Sequence, residues 1–243
     1  MTAQGIIYGI GLGPGDPDLM SVKARRVLER VDHLAYFRKR GAKGHARSIA
    51  AAFMKKSVSE FAMEYPITTE LPPDSAPYRE SLAAFYNESA AHLRALSNQG
   101  HEVGILCEGD PFFYGSFMHL YERLKDSQPI EVIPAITGMS AAWTATGQPI
   151  TWGDDVLTVL AGTLPEEDLC RHIKATDALV VMKIGGNFDK ICQALKDAGK
   201  YERAWMVEFA SMEGQRILKL SDVSEGRKPY FSIIVVHGEG RRP

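Results

Sequence analysis

Short apolar runs alternate with longer segments of helical periodicity through the first half of the chain. Residues 6–10 form an apolar run that stops at glycines, and apolar residues at helical spacing follow over residues 19–31. The same pattern predicts further strands over residues 33–36, 103–107 and 131–133, and helices within residues 42–55, 76–97 and 116–125. Strands that alternate with helices are typical of a mostly parallel α/β sheet.

The second half of the chain has more strand for its length. Proline and glycine crowd residues 129–153, and apolar runs then predict strands over residues 156–161, 178–182, 204–209, 216–220 and 231–236. Two of these runs follow each other closely, which favours a mixed sheet over a purely parallel one. We therefore expect two unlike α/β lobes, an N-terminal lobe over residues 1–139 with a mostly parallel sheet and a C-terminal mixed lobe over residues 140–243.

Composition indicates a globular protein without a strong charge preference. The 243 residues include 28 Lys and Arg against 30 Asp and Glu, and 45% of them are hydrophobic, which excludes a disordered or fibrous chain. A formal charge of −2 supplies no overall field for nucleic acid or an anionic membrane, so we expect neither as a partner.

The distribution of Cys and His residues argues against a disulfide framework or a metal site. The three cysteines lie far apart with no CxxC pair, and the seven histidines show no spacing of three or four residues. The first residues lack the basic start of a signal peptide, and no apolar run approaches the roughly 20 residues of a membrane span. We expect a cytoplasmic protein that binds no metal.

Three loops that follow predicted strands carry the most unusual sequences. The first, Gly9-Ile10-Gly11-Leu12-Gly13-Pro14-Gly15-Asp16-Pro17-Asp18, fails the dinucleotide fingerprint because Pro14 or Asp16 stands where its third glycine belongs. It also lacks the Gly-Lys-Ser/Thr end of a phosphate-binding loop. Its glycines indicate either a plain tight turn or a backbone shaped for close approach to a ligand.

The other two loops combine helix-start signals with polar and aromatic side chains. Cys107-Glu108-Gly109-Asp110-Pro111-Phe112-Phe113-Tyr114-Gly115-Ser116 offers carboxylates and an aromatic wall, or a helix cap above core aromatics. Ile133-Pro134-Ala135-Ile136-Thr137-Gly138-Met139-Ser140 resembles a nucleophile elbow only weakly, so Thr137 and Ser140 are better read as helix-start residues beside a pocket. A basic cluster over residues 38–47 indicates either a solvated face or a receptor for a substrate with several carboxylates.

Together the three loops, with Met182 after a later apolar strand, resemble the tetrapyrrole methylase family. This resemblance implies two α/β lobes with the methyl donor S-adenosylmethionine (SAM) in the cleft between them, a tetrapyrrole substrate and a homodimer. The cofactor contacts that it implies are Pro14, Glu108, Gly109, Asp110, Phe113, Thr137, Gly138, Met182 and Ala210. The candidate substrate contacts are Gly13, Asp16, Arg38 and Arg40, and no residue is identified as catalytic.

Two positions depart from one branch of this family. The uroporphyrinogen-III methylases carry an acidic residue after the second strand and a basic residue before the Gly-Asp-Pro turn, where this chain has Phe37 and Ile105. The resemblance therefore favours a precorrin-stage substrate, either metal-free or with cobalt inserted. A non-catalytic module that binds SAM or a nucleotide is the alternative from another functional class.

Overall fold

The computed structural model describes residues 3–68, 70–72 and 75–242 of the chain. These residues divide into two compact units, the first ending at Thr137 and the second beginning at Gly138. The lobe boundary expected after residue 139 stays a prediction, since compactness alone does not establish an independently folding domain.

The first unit is a five-stranded parallel sheet with helices on both faces. Its strands are β1 (Ile7–Gly11), β2 (His33–Lys39), β3 (Ser59–Tyr65), β4 (Val103–Cys107) and β5 (Ile130–Ile133). Its helices are α1 (Val22–Leu28), α2 (His45–Ala50), α3 (Ala76–Asn98) and α4 (Phe117–Leu124). The strand order is β3-β2-β4-β1-β5, and every pairing is parallel, which confirms the predicted sheet type.

The central strands of this sheet are buried on both faces. Tyr8 and Ile10 of β1 pack with α1 and α2, whereas Ile7 packs with α3 and α4 on the opposite face. All five residues of β1 and of β4 are buried. Such strands appear as uninterrupted apolar runs, which is why the sequence pattern locates them.

Strand β3 is absent from the pattern-based prediction. It lies at the edge of the sheet, its burial is incomplete, and its sequence Ser-Glu-Phe-Ala-Met-Glu-Tyr has only three consecutive apolar residues, between two glutamates. Two carboxylates of β3 form ion pairs with neighbouring elements: Glu64 with Arg38 at 2.7 Å, and Glu60 with Arg47 at 2.9 Å. The edge strand therefore compensates the charge of two residues of the basic cluster, Arg38 and Arg47.

The second unit contains a five-stranded mixed sheet, as the sequence predicts. Its elements are α5 (Gly138–Ala145), β6 (Leu157–Ala161), α6 (Glu166–Lys174), β7 (Ala178–Met182), α7 (Phe188–Asp197), β8 (Ala204–Glu208), β9 (Arg216–Lys219) and β10 (Ser232–Val236). The strand order is β6-β7-β10-β8-β9, with β6 and β7 parallel and the other pairings antiparallel. Helices α6 and α7 cover one face and α5 covers the other.

A buried histidine joins the end of β10 to the segment that follows α5. Nδ1 of His237 donates to the carbonyl oxygen of Pro149 at 3.0 Å, and Nε2 lies 2.9 Å from Oγ1 of Thr146. Burial lowers the pKa of His237, and the hydrogen bond to Pro149 only partly opposes this effect. The folded protein therefore favours the neutral imidazole.

This lowered pKa predicts a loss of stability in acid. In the unfolded chain the imidazole titrates near a pKa of about 6.5, so below that pH the unfolded state binds more protons than the folded state. The stabilising contribution is present above that pH and is lost as pH falls toward the folded pKa. We expect the free energy of unfolding to fall more steeply between about pH 7.5 and 5.5 in the wild type than in His237→Gln, measured by urea denaturation. Parallel slopes would contradict this role of His237.

Candidate functional site

Three loops meet at the carboxyl edge of the parallel sheet. Strand β1 lies between β4 and β5, so the loops that follow these strands leave the sheet side by side. The first two are joined directly, because the N–H of Gly109 donates to the carbonyl oxygen of Gly13 at 2.8 Å and the N–H of Leu12 donates to that of Cys107 at 3.0 Å. In open α/β sheets this edge is the usual place for a ligand.

Close approach of the backbone at this edge requires Gly11. A Cβ atom on Gly11 would lie 2.6 Å from Cβ of Ala135, 2.8 Å from the carbonyl oxygen of Ile133 and 2.9 Å from Cδ of Pro111. These neighbours belong to the loops after β4 and β5 and to the end of β5 itself. The missing side chain therefore allows three chain segments to converge at this edge.

The carboxylate of Asp110 connects two of the loops. Oδ1 accepts the N–H of Phe112 at 2.9 Å within its own turn, and Oδ2 accepts the N–H of Ala135 at 3.0 Å in the loop after β5. Hydrogen bonds from N–H groups to an ionised carboxylate are among the stronger ones in proteins. Asp110 therefore determines the relative position of the two loops.

Glu108 makes a second connection, from the loop after β4 to helix α2. Its Oε1 accepts the N–H of Ala46 at 3.1 Å in the first turn of that helix, whose N-cap residue Gly44 has no side chain to do so. Burial raises the pKa of Glu108, and the nearby His45 and the hydrogen bond from Ala46 oppose the increase. The carboxylate thus orders the start of α2 beside the ligand edge.

The remaining predicted residues of the first unit lie in the same three loops. Pro14 is buried, Asp16 accepts the N–H of Asp18 through Oδ1 at 2.9 Å, and Thr137 ends the unit. The ring of Phe113 is half-buried between two exposed aromatic residues, Phe112 and Tyr114. The structure thus brings Pro14, Gly109, Asp110, Phe113 and Thr137 to one edge of the sheet.

The two arginines predicted to contact the substrate have different surroundings. Oε1 of Glu64 lies 2.9 Å from Nε and 2.7 Å from Nη2 of Arg38. The parallel register of β2 and β3 places these two residues opposite each other. Arg40 follows the end of β2 and is exposed, as are Lys39 and Lys43. The charge of Arg38 is therefore compensated within the sheet, whereas Arg40 extends into solvent.

The three predicted residues of the second unit gather around one apolar cluster. Met182 ends β7, Ala210 follows β8, and both belong to the cluster that also contains Ile233 of β10. A Cβ atom on Gly138, the first residue of α5, would lie 3.5 Å from Cδ1 of Ile233. Strands β7 and β8 both pair antiparallel with β10, so their carboxyl ends share one edge of the mixed sheet.

Strained backbone occurs in the loops after β4, β7 and β8, next to predicted site residues. The sequence does not predict this strain. Among the described residues, the non-glycine residues with positive φ are Tyr114, Lys183, Phe209 and Ser211. Tyr114 follows Phe113, Lys183 follows Met182, and the other two flank Ala210. A bulky residue in this conformation costs of order 1–3 kcal/mol, and such strain concentrates at functional sites.

The described residues contain neither a metal-ligand cluster nor a membrane-spanning helix. Within residues 3–68, 70–72 and 75–242, no group of three or more His, Cys, Asp and Glu side chains is placed to hold a metal ion. None of the helices in the described part of the chain is long and apolar enough to cross a membrane.

Comparison with known proteins identifies the family. A family model described as Tetrapyrrole (Corrin/Porphyrin) Methylases matches residues 6–223. A precorrin-2 C(20)-methyltransferase from a Sinorhizobium species is 43% identical over 239 residues, which cover 98% of each chain. A cobalt-precorrin-2 C(20)-methyltransferase from Salmonella typhimurium is 30% identical over 237 residues, covering 96% of this chain and 97% of that protein.

Solved structures share the fold at lower sequence identity. A cobalt precorrin-4 methyltransferase superposes with a TM-score of 0.73 at 23% identity, covering 96% of this chain and 94% of that one. The uroporphyrin-III C-methyltransferase of Thermus thermophilus, in complex with S-adenosyl homocysteine, gives a TM-score of 0.65 at 23% identity, covering 96% and 92%. The resemblance predicted from three loops is confirmed, and this chain belongs to the tetrapyrrole methylase family.

Proposed function

We propose that this protein transfers the methyl group of SAM to C20 of precorrin-2, a step of cobalamin biosynthesis. The observation that carries the proposal is the 43% identity to a precorrin-2 C(20)-methyltransferase over 98% of both chains. The carboxyl edge of the first sheet agrees with it, because three loops converge there and are joined by hydrogen bonds.

The loops of the first unit suit a ligand with the chemistry of SAM. Polar backbone groups of the three loops suit the ribose and amino-acid parts, and the partly exposed ring of Phe113 suits a purine. Pro14, Gly109 and Thr137 would contribute backbone contacts beside it. In the second unit Gly138, Met182 and Ala210 would supply apolar contacts.

SAM supplies a methyl group on a positively charged sulfonium, which already activates that group for transfer. What the chain must provide is alignment, and an aligned pair of reactants gains up to about 7–11 kcal/mol over free encounter. Asp110 and Glu108 contribute by fixing the loops that surround the reactants. Both carboxylates accept hydrogen bonds from backbone N–H groups. We do not propose either of them as the base that accepts the proton lost by C20 on methylation.

The periphery of precorrin-2 carries several carboxylates, and we propose that Arg40 receives one of them. Arg40 is exposed, whereas Arg38 is already paired with Glu64. Gly13 and Asp16, in the loop after β1, remain candidate substrate contacts through their position at the same edge.

We expect Arg40→Ala to raise the KM for precorrin-2 about two- to fivefold while the Kd for SAM is unchanged, since one exposed ion pair to the substrate is lost. Arg26→Ala, which removes an exposed arginine of α1, serves as the matched control and should change neither constant. Steady-state kinetics and calorimetric titration with SAM measure the two effects. An unchanged KM in Arg40→Ala would remove Arg40 from the substrate site.

Metal-free precorrin-2 is the proposed substrate, and its cobalt-containing equivalent is the second candidate. Identity is 43% to the relative named for the metal-free compound and 30% to the relative named for the cobalt compound. The test is to incubate the purified protein anaerobically with SAM and precorrin-2, with and without inserted cobalt, and to record product masses. One added methyl group on the metal-free compound supports the proposal.

Other outcomes of this assay point elsewhere. Transfer only to the cobalt compound would assign the protein to the second candidate. Binding of SAM without transfer to either compound would favour a non-catalytic module. The cytoplasmic location and the homodimer expected from the sequence and the family stay predictions, and sedimentation of the purified protein tests the latter.

A further inference from the structure

Tyr114 combines backbone strain with an exposed side chain. Its φ is 55°, a left-handed conformation that side chains with a Cβ atom avoid. The turn that precedes it is fixed, because Oδ1 of Asp110 accepts the N–H of Phe112 and the carbonyl oxygen of Asp110 accepts that of Phe113. The chain therefore holds Tyr114 in this conformation at a cost in stability.

Burial of the ring does not offset that cost. Tyr114 is 44% exposed, and its ring lies edge-on to that of Phe113 with centroids 4.8 Å apart. The strained Phe209 is less exposed, and its N–H donates to the carbonyl oxygen of Phe231 at 2.8 Å. Strain that core packing does not explain is a reason to look for a ligand.

Other exposed apolar side chains lie in the same loop as Tyr114 and in the loops beside its own. Phe112 is 46% exposed, Ile136 41% and Leu19 37%, and these residues come from the three loops that meet at the carboxyl edge. Phe113 between the two aromatic residues is the predicted SAM contact. Exposed apolar side chains gathered from several loops around a ligand edge indicate contact with a large apolar surface.

The exposed basic residues beside β2, Lys39, Arg40 and Lys43, add positive charge at the same edge. A ligand with a flat apolar face and a rim of carboxylates matches both features. We propose, resting on the function proposed above, that the ring of Tyr114 contacts the macrocycle face of the tetrapyrrole and positions it for methyl transfer. Tyr114 is then a determinant of substrate binding that is separate from the SAM contacts.

The test distinguishes the effect of removing the ring of Tyr114 from the effect of changing its backbone conformation. Asparagine and glycine both tolerate positive φ, so Tyr114→Asn and Tyr114→Gly remove the ring without adding strain. We expect both variants to be at least as resistant to thermal unfolding as the wild type, to bind SAM within twofold of wild-type affinity, and to show a KM for precorrin-2 raised tenfold or more. Tyr114→Phe should remain within threefold of the wild type, because it keeps the ring.

Tyr230→Asn is the matched control, since Tyr230 is a tyrosine exposed at 84% in the second unit. It should leave all three quantities unchanged. Binding of uroporphyrin, a stable tetrapyrrole with eight carboxylates, is measured in parallel by fluorescence quenching. It should weaken tenfold in Tyr114→Asn and Tyr114→Gly, and this readout does not depend on methylation.

Four results would overturn the role of Tyr114, three of them seen in the variants and one in the wild type. Wild-type affinity for tetrapyrroles in Tyr114→Asn and Tyr114→Gly would show that the ring makes no substrate contact. An equal loss of SAM affinity would assign the ring to the cofactor loop, and a change in sedimentation would assign it to a contact between copies of the chain. If the wild type binds uroporphyrin but does not methylate precorrin-2, the proposed function fails. The uroporphyrin affinities of the Tyr114 variants still show whether the ring contacts a tetrapyrrole. A wild type that binds no tetrapyrrole would overturn both.

Discussion

Replacing Asp110 with alanine is expected to weaken SAM binding by about 10- to 100-fold. The carboxylate accepts the N–H of Phe112, which fixes its own turn, and the N–H of Ala135, which joins the loop after β4 to the loop after β5. Each hydrogen bond to a charged group contributes of order 1.5–3 kcal/mol, and a factor of ten in Kd corresponds to about 1.4 kcal/mol. The two loops carry most of the proposed SAM contacts in the first unit, so a change in the spacing between them is expected to weaken SAM binding.

Two further variants distinguish this effect from a general loss of charge. Asp110→Asn keeps one acceptor oxygen and should show a smaller loss of SAM affinity than Asp110→Ala. Asp126→Ala removes an exposed carboxylate after α4 and should leave the Kd unchanged. Calorimetric titration of each variant with SAM measures the effect. Equal affinity in Asp110→Ala and the wild type would exclude a role for Asp110 in the site.

Replacing Gly11 with alanine is expected to reduce both the stability of the fold and the affinity for SAM. The new Cβ atom would lie 2.6–2.9 Å from three atoms of neighbouring segments, two of which belong to the backbone or to a Cβ position and have little freedom to move. Overpacking of this kind costs about 1–3 kcal/mol. Because the loops after β1, β4 and β5 must separate to relieve the contact, we expect SAM affinity to fall at least tenfold.

A second substitution tests the same geometry by compensation. Ala135→Gly removes the Cβ atom nearest to the new methyl group, so the double variant Gly11→Ala with Ala135→Gly should recover part of the lost stability. Gly186→Ala is the control, because nothing lies within 4 Å of its added Cβ atom and its φ is not positive. Urea denaturation and SAM titration follow the series. Additive losses in the double variant would contradict the contact described for Gly11.

Most strands of the fold can be predicted from the sequence pattern. Strand β3 cannot, for a physical reason. Strands β1, β4 and β7 are buried on both faces or nearly so, and therefore appear as continuous apolar runs. Strand β3 is an edge strand with two glutamates and a half-buried face, so its residues lack that signal. Its place in the sheet depends on pairing with β2, which local sequence does not encode.

The candidate site shows the same limit. The loops after β1, β4 and β5 are recognisable from their residues, since glycine, proline and aspartate at fixed spacing have few structural uses. The pairing of Arg38 with Glu64 follows from the register of β2 and β3, so a prediction without β3 leaves Arg38 as free as Arg40. The positive φ of Tyr114 is imposed by the tertiary structure around the turn, and nothing in the sequence marks it.

The proposed reaction places the methyl group on C20 of metal-free precorrin-2. The most direct measurement is to supply SAM with a ¹³C-labelled methyl group, convert precorrin-2 anaerobically and locate the label in the product by carbon NMR. We expect one labelled methyl group, bonded to the meso carbon C20. A label on any other carbon, or no transfer while SAM binds, would contradict the claim.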